Sequence, residues 1–446
     1  MRMLLVSTYE LGHQPLGVAV PAAALRARGH ELRCTDLSIE PWDPALGEWA
    51  EMVACSVPMH TAARLARQLA LTIEKPLCCY GLYASMCTDV ADKVIAGEYV
   101  DALVAWVDGD DPRGSTTPLG REAAARGAPL PARDLLPTLD RYAHLSIGGE
   151  ERLAGAVEAS HGCAHRCRHC PVPVVYDGRI RIVDADAVLA DIAQQVEAGA
   201  RHITFGDPDF FNGVHHSLRV VRAMHEQFPD VTFDCTVKVE HILRHAEVWP
   251  EMAASGCLFV VSAFESVDDA ILERLDKGHT ALDAARATTL LRGHGIEIRP
   301  SFLPFTPWTT VDGFRALLDF VAEHDLVGNV DPVQYSIRLL LPRGSLLLDH
   351  PDIAPYLGPW DAARLTYEWI VADPAVDELQ RDITALVERE TDADTSIAEI
   401  YRAVRAAAGA PPIALGTIAD PPRLTESWFC CAEPTEAQLA PLTTWA

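Results

Sequence analysis

Three cysteines, Cys163, Cys167 and Cys170, stand at spacings of four and three residues directly after the apolar segment 155–160. A strand running into such a loop brings three thiolates to one point, and soft thiolates select zinc, copper(I) or iron–sulfur centres. Arg166, Arg168 and the histidines of the same loop favour the thiolate form. A 4Fe–4S cluster ordinarily takes four cysteines. Three leave one iron open for a substrate or cofactor. The other reading is a structural zinc site completed by His161, His165 or His169.

The sequence around this loop alternates between strand and helix patterns. Apolar segments at 155–160, 202–205, 231–235, 258–262, 297–302 and 333–337 read as strands. Between them, Val188, Ile192 and Val196 repeat at helical spacing, as do Phe314, Leu317, Leu318 and Val321, and Gly199 ends the first of these helices. Six such units predict a partial (β/α)6 barrel over 151–345, with chemistry at the C-terminal ends of the strands. The cysteine loop falls at such an end. Residues 1–107 predict a doubly wound parallel sheet, with strands at 3–7, 31–37, 52–57, 77–80 and 102–106 and helices at 20–28 and 61–74. The Gly- and Pro-rich stretch 108–150 reads as a linker, and 346–446 as a mostly helical C-terminal region ending in a loop-like tail.

Charge narrows the class of partner. The 446 residues hold 37 Lys and Arg against 63 Asp and Glu, a net charge of −26. With no basic patch to override it, that excess argues against nucleic acid and anionic membranes, and for a small-molecule substrate. No run of eighteen apolar residues predicts a membrane span, and the apolar start Met1-Arg2-Met3-Leu4-Leu5-Val6 is too short for a signal peptide. The expected location is the cytoplasm. There the twelve cysteines are metal or redox candidates rather than disulfides.

Cys163-x3-Cys167-x2-Cys170 after the first barrel strand resembles the signature of the radical S-adenosylmethionine (SAM) superfamily. The resemblance implies a 4Fe–4S cluster whose open iron binds SAM, reductive cleavage of a carbon–sulfur bond of SAM, and an external electron donor such as flavodoxin or ferredoxin. It also implies cofactor-binding roles at strand ends. His169 takes the usual aromatic place before the third cysteine, to pack on adenine. Gly206, Asp207 and Asp209 occupy the place of a turn that binds the SAM amino group. Glu265, in Phe264-Glu265-Ser266 followed by Lys277-Gly278, would hold the ribose or the methionine end. Arg299 would point into the barrel, or make a surface ion pair. For Asp209 and Glu265 the alternative is a solvated loop carboxylate.

Residues 1–107 resemble the flavodoxin-like, cobalamin-binding type of domain, through Leu16-Gly17-Val18-Ala19 and Arg28-Gly29-His30. No Asp-x-His-x-x-Gly motif is present, which is compatible with cobalamin bound without a histidine ligand and with a domain that has lost cobalamin. The tail Cys430-Cys431-Ala432-Glu433-Pro434 matches a radical SAM group named for a Cys-Cys-Ala-Glu-Pro ending. The chain is also similar in plan to the radical SAM enzyme of arsinothricin biosynthesis. That analogy implies catalytic roles for Cys430 and Cys431, holding arsenite while the 3-amino-3-carboxypropyl group of SAM is transferred to it. The alternatives are a cobalamin-dependent methyltransferase of small molecules and a non-catalytic zinc- or metalloid-binding protein.

Overall fold

The computed structural model describes residues 1–110, 116–117, 129–426 and 439. The run Met3-Leu4-Leu5-Val6 is buried throughout, as a central parallel strand covered on both faces requires. It lies in β1 (Arg2–Ser7), which is followed by β2 (Glu31–Asp36), β3 (Met52–Ser56), β4 (Leu77–Tyr80), β5 (Lys93–Ile95) and β6 (Thr116–Thr117). Their spatial order is β2-β1-β3-β4-β5-β6, all parallel. This is the flavodoxin-like order, in which ligands bind outside the carboxyl ends beside the β1/β3 switch point. Separate apolar cores fill the two faces of the sheet. The segment 102–106, expected as a strand, lies inside the helix Val100–Asp108. Leu103, Trp106 and Val107 share one buried helical face there, and Gly109 closes the helix at φ 83°.

The second sheet starts inside the stretch expected to be a linker. β7 (His144–Ile147) and β8 (Glu150–Val157) form an antiparallel hairpin turned by Gly148-Gly149. Both glycines have positive φ, 59° and 80°, as a tight hairpin turn demands. A small antiparallel pair, β9 (Ser160–Gly162) and β10 (Ile180–Ile182), brackets the cysteine loop. Then come β11 (His202–Phe205), β12 (Thr232–Thr236), β13 (Cys257–Glu265) and β14 (Glu297–Phe302), which continue in parallel from β8. The sheet is thus an open half-barrel of five parallel strands.

The expected sixth strand at 333–337 is instead a 3-10 turn, Pro332–Tyr335, and only a parallel bridge from Phe305 to Arg338 marks its place. Pro332 fixes φ and removes a ladder donor at the point where that strand would start. The region expected to be mostly helical opens with a hairpin, β15 (Leu357–Asp361) and β16 (Thr366–Trp369), before the helices Pro374–Asp392 and Ile397–Ala407. Finally β17 (Arg423–Leu424) returns to pair with β7.

One side chain ties the two sheets together. Arg133 is buried and donates to both oxygens of Asp191, at 2.7 and 2.8 Å, to the Ala156 carbonyl at 2.6 Å and to Gln14 Oε1 at 3.0 Å. Asp191 lies on the helix Ala185–Glu197 of the half-barrel, and Gln14 lies in the loop after β1.

Candidate functional site

The C-terminal ends of both sheets open on one cavity of about 380 Å³. Its N-terminal wall carries Leu11, Leu16, Pro58, Met59, Leu82 and three glycines, Gly17, Gly81 and Gly97. These glycines keep the wall low. A Cβ on Gly17 would stand 2.5 Å from Ser56 Oγ, and one on Gly81 (φ 114°) 3.0 Å from the Val57 carbonyl.

The facing wall carries Cys163, Cys167 and Cys170, and local structure explains how they reach it. β8 ends at Val157, and two bonds to the buried Asp207 then bend the chain. The Ala159 N–H donates to its Oδ2 at 2.9 Å and the Ser160 hydroxyl to its Oδ1 at 2.6 Å. Gly162 takes φ 77° with its Cα pressed on the opposite strand, where a Cβ would meet the Arg179 carbonyl at 2.3 Å. Beyond the turn, Arg168 fastens the loop to the helix Asp269–Leu275. Its backbone N–H donates to the Leu275 carbonyl, and its guanidinium to the carbonyls of Glu273 and Arg274, all within 2.9 Å.

The donor set fits a soft multinuclear centre. Burial raises the Cys163 thiol to about 11 and also raises Cys167, so both stay protonated until a soft cation displaces the protons.

Beside the thiols lies a buried polar trio. Glu265 ends β13 at φ 62°, and its Oε1 accepts from Lys277 Nζ at 3.2 Å and lies 3.0 Å from His169 Nε2. Burial opposes the charge on Glu265, but Lys277 and His169 outweigh it and hold the carboxyl at about 2. Burial likewise opposes the charge on Lys277, and Glu265 raises its affinity for the proton above the ordinary value. His169 is a buried partner of Glu265 and lines the cavity. Lys277, quoted in the sequence as part of a motif, is the residue that makes Glu265 an anion. The solvated alternative for Glu265 does not hold.

Gly206, Asp207 and Asp209 all line the cavity, but the two carboxylates have local duties. Asp207 supports the bend after β8, and burial pushes its carboxyl up to about 7. Asp209 is buried and caps the turn Phe210–Gly213, its Oδ1 accepting from the Phe211 N–H at 3.1 Å. Arg299 does not line the cavity; it is buried with its Nη2 2.7 Å from Asp331 Oδ1. Cys430 and Cys431 lie outside the described residues.

Sequence reasoning missed the polar rim between the domains. His161 Nδ1 lies 3.0 Å from Glu98 Oε1 and its Nε2 3.2 Å from Glu158 Oε2. Burial opposes the charge on this imidazole, but the two carboxylates outweigh it and raise it well above the ordinary value. Glu10 is pushed the other way. Burial, with Glu158 nearby, raises it to about 8, although the Leu16 and Gly17 N–H groups donate to its Oε1. Glu10 and Glu158 stand just beyond the ends of β1 and β8, and strand-end position was the signal that could have found them.

Residues 157–321 match the family model described as the radical SAM superfamily. The matched stretch holds the cysteine loop and strands β11 to β14. Likeness of fold extends beyond that stretch. The fold matches that of the cobalamin-dependent SAM radical enzyme OxsB with aqua-cobalamin bound, at a TM-score of 0.66 and 13% identity, over 87% of this chain and 67% of that one. It also matches the radical SAM methyltransferase TsrM from Kitasatospora setae, at a TM-score of 0.57 and 18% identity, over 73% of this chain and 70% of that one. A curated relative, the hopanoid C-3 methylase of Methylococcus capsulatus, is 22% identical over 331 residues, 66% of this chain. The chain spans 62% of that relative's length. Among the described residues no helix is long and apolar enough to cross a membrane.

Proposed function

We propose that the chain is a cobalamin-dependent radical SAM methyltransferase of a small molecule. One observation carries this reading: a single cavity has the three cluster cysteines on one wall and the glycine-bearing strand ends of a flavodoxin-like sheet on the other. When bound, the cluster supplies the electron that cleaves SAM, and cobalamin supplies a carrier for the methyl group. Cys163, Cys167 and Cys170 hold the cluster. Gly206 leaves room for SAM beside it. Glu265 presents a carboxylate to the amino or ribose end of SAM, since both of its bonds fall on Oε1 and Oε2 takes none from a described residue. The glycine wall accepts the corrin face, which is compatible with the absence of a histidine-ligand motif.

A second reading keeps the tail cysteines as a thiol pair for arsenite, with aminocarboxypropyl transfer. It is supported by the described residues on either side of them. The Tyr9 hydroxyl donates to Glu426, and Leu439 is buried with Tyr9, Met59 and Leu65. Met59 also lines the cavity.

The test is anaerobic reconstitution with iron, sulfide, hydroxocobalamin, SAM and a strong reductant, with and without arsenite, followed by mass spectrometry of the nucleosides. Stoichiometric cobalamin together with S-adenosylhomocysteine and deoxyadenosine is the expected outcome. Methylthioadenosine that requires Cys430 and Cys431 would transfer the assignment to the second reading. Failure to retain cobalamin would sink the first.

A further inference from the structure

His165, Asp209 and His241 come from the segments that follow β8, β11 and β12, and their ligand atoms all lie within 4.8 Å of one another. Among the described residues no other group of three His, Cys, Asp or Glu side chains does so. His241 Nδ1 stands 2.8 Å from Asp209 Oδ2, yet both atoms are buried and neither makes a hydrogen bond to a described residue. A hydrogen-bonded pair at that distance points its N–H at the oxygen. Ligands of one ion behave differently, because bonds of about 2.0–2.2 Å leave neighbouring ligand atoms roughly 3 Å apart without bonding each other. The third side chain closes the set. His165 Nε2 is 3.8 Å from Asp209 Oδ2 and is hydrogen-bonded to His241 Nε2 at 3.2 Å, while Asp209 meets His241 Nδ1; with one nitrogen from each imidazole, all three ligand atoms lie within 4.8 Å.

We propose that His165, Asp209 and His241 bind one divalent first-row transition-metal ion beside the cluster loop. Two imidazoles and one carboxylate suit zinc, iron(II) or cobalt(II), and three protein ligands leave positions open. His165 and Asp209 line the cavity, so the open positions face it and take an oxygen donor of the substrate, such as a carboxylate or hydroxyl. The far side of His165 is provided for as well. Glu240 Oε2 lies 3.8 Å from Nδ1, beyond hydrogen-bond reach, and accepts from Lys238 Nζ at 3.3 Å, so a carboxylate stands near the side where a metal-bound imidazole carries its N–H. An ion at Nε2 puts the proton on Nδ1, so binding requires Lys238 to give up its 3.1 Å contact with that atom and keep its bond to Glu240. Asp209 then serves this ion rather than SAM.

The test uses the full-length chain with Cys163, Cys167 and Cys170 replaced by Ser, so that no cluster competes, and cobalt(II) as the probe. One cobalt per chain is expected, with the weak visible bands of a nitrogen–oxygen site and no sulfur-to-metal charge transfer. The melting temperature should rise and saturate at one equivalent. His241→Ala and Asp209→Asn should each weaken binding tenfold or more. In the reconstituted wild type, elemental analysis should find one metal ion beyond the four irons of the cluster, lost in H241A while the broad cluster absorption stays. That second measurement decides the matter should the triple-Ser chain not fold, and the first decides it should no cluster assemble. Absence of cobalt binding, a charge-transfer band from thiolates alone, or affinity unchanged by H241A and D209N would overturn the site. The three side chains would then be a hydrogen-bonded chain running from Lys238 to Asp209.

Discussion

Buried carboxylates of opposite tendency line the cavity, and each leaves its own mark on stability. Glu265 is held at about 2 against an ordinary 4.5. Its folded-state value is depressed, so its contribution is present above pH 4.5 and is lost as pH falls towards 2. Glu265→Gln should flatten that acid limb of a urea-midpoint profile. Because it also strands Lys277, it should cost about 3–5 kcal/mol at neutral pH. Glu10 has the opposite sign. Its value is raised to about 8, so the folded state holds a proton that the unfolded chain releases near 4.5, and stability declines as pH rises between the two. One proton limits the slope to about 1.4 kcal/mol per pH unit. Glu10→Gln should remove it, and a profile unchanged in that variant would contradict the assignment.

At the scale of the element, the hairpin of β9 and β10 presents the cysteine loop, and Gly162 is its tightest point. Any Cβ there collides with backbone rather than with a flexible side-chain end, and φ 77° is itself unfavourable for other residues. Gly162→Ala should destabilise the chain by about 1–3 kcal/mol. It should also displace Cys163, the next residue. Iron content and cluster absorbance after reconstitution should therefore fall further than the small loss in melting temperature implies. A variant with full iron loading would show that the hairpin does not position the thiols.

For the whole molecule, the cavity exists only because the two sheets are held end to end. Arg133 is central to the joint, since it bonds the loop after β1, a barrel strand and a barrel helix together. Arg133→Met leaves Asp191 buried without its partner, for a loss of about 3–5 kcal/mol. Cobalamin affinity, measured by titration of the apoprotein well below its melting temperature, should weaken at the same time. The radical SAM half should still assemble its cluster, because the thiols sit on one loop. Loss of stability with unchanged cobalamin affinity would locate the corrin site away from the joint.

The chain by itself determined those features that depend on neighbours in sequence. The cysteine loop was legible because three thiols within eight residues need only one turn to converge. The strands at His202–Phe205 and Glu297–Phe302 were legible at their full length, as short stretches set between segments of helical period. The helix Val100–Asp108 was misread as a strand because a short apolar run satisfies either period, and packing made the choice. Only the tertiary structure decided the partners. Glu265 meets His169 across 96 residues and His165 meets His241 across 76, and no local pattern encodes such pairings. A carboxylate at a strand end is the same letter whether solvated or buried. Its charge and chemistry are set by which side chain the fold brings to within about 3 Å, through desolvation and Coulomb interaction that act in space and not along the chain.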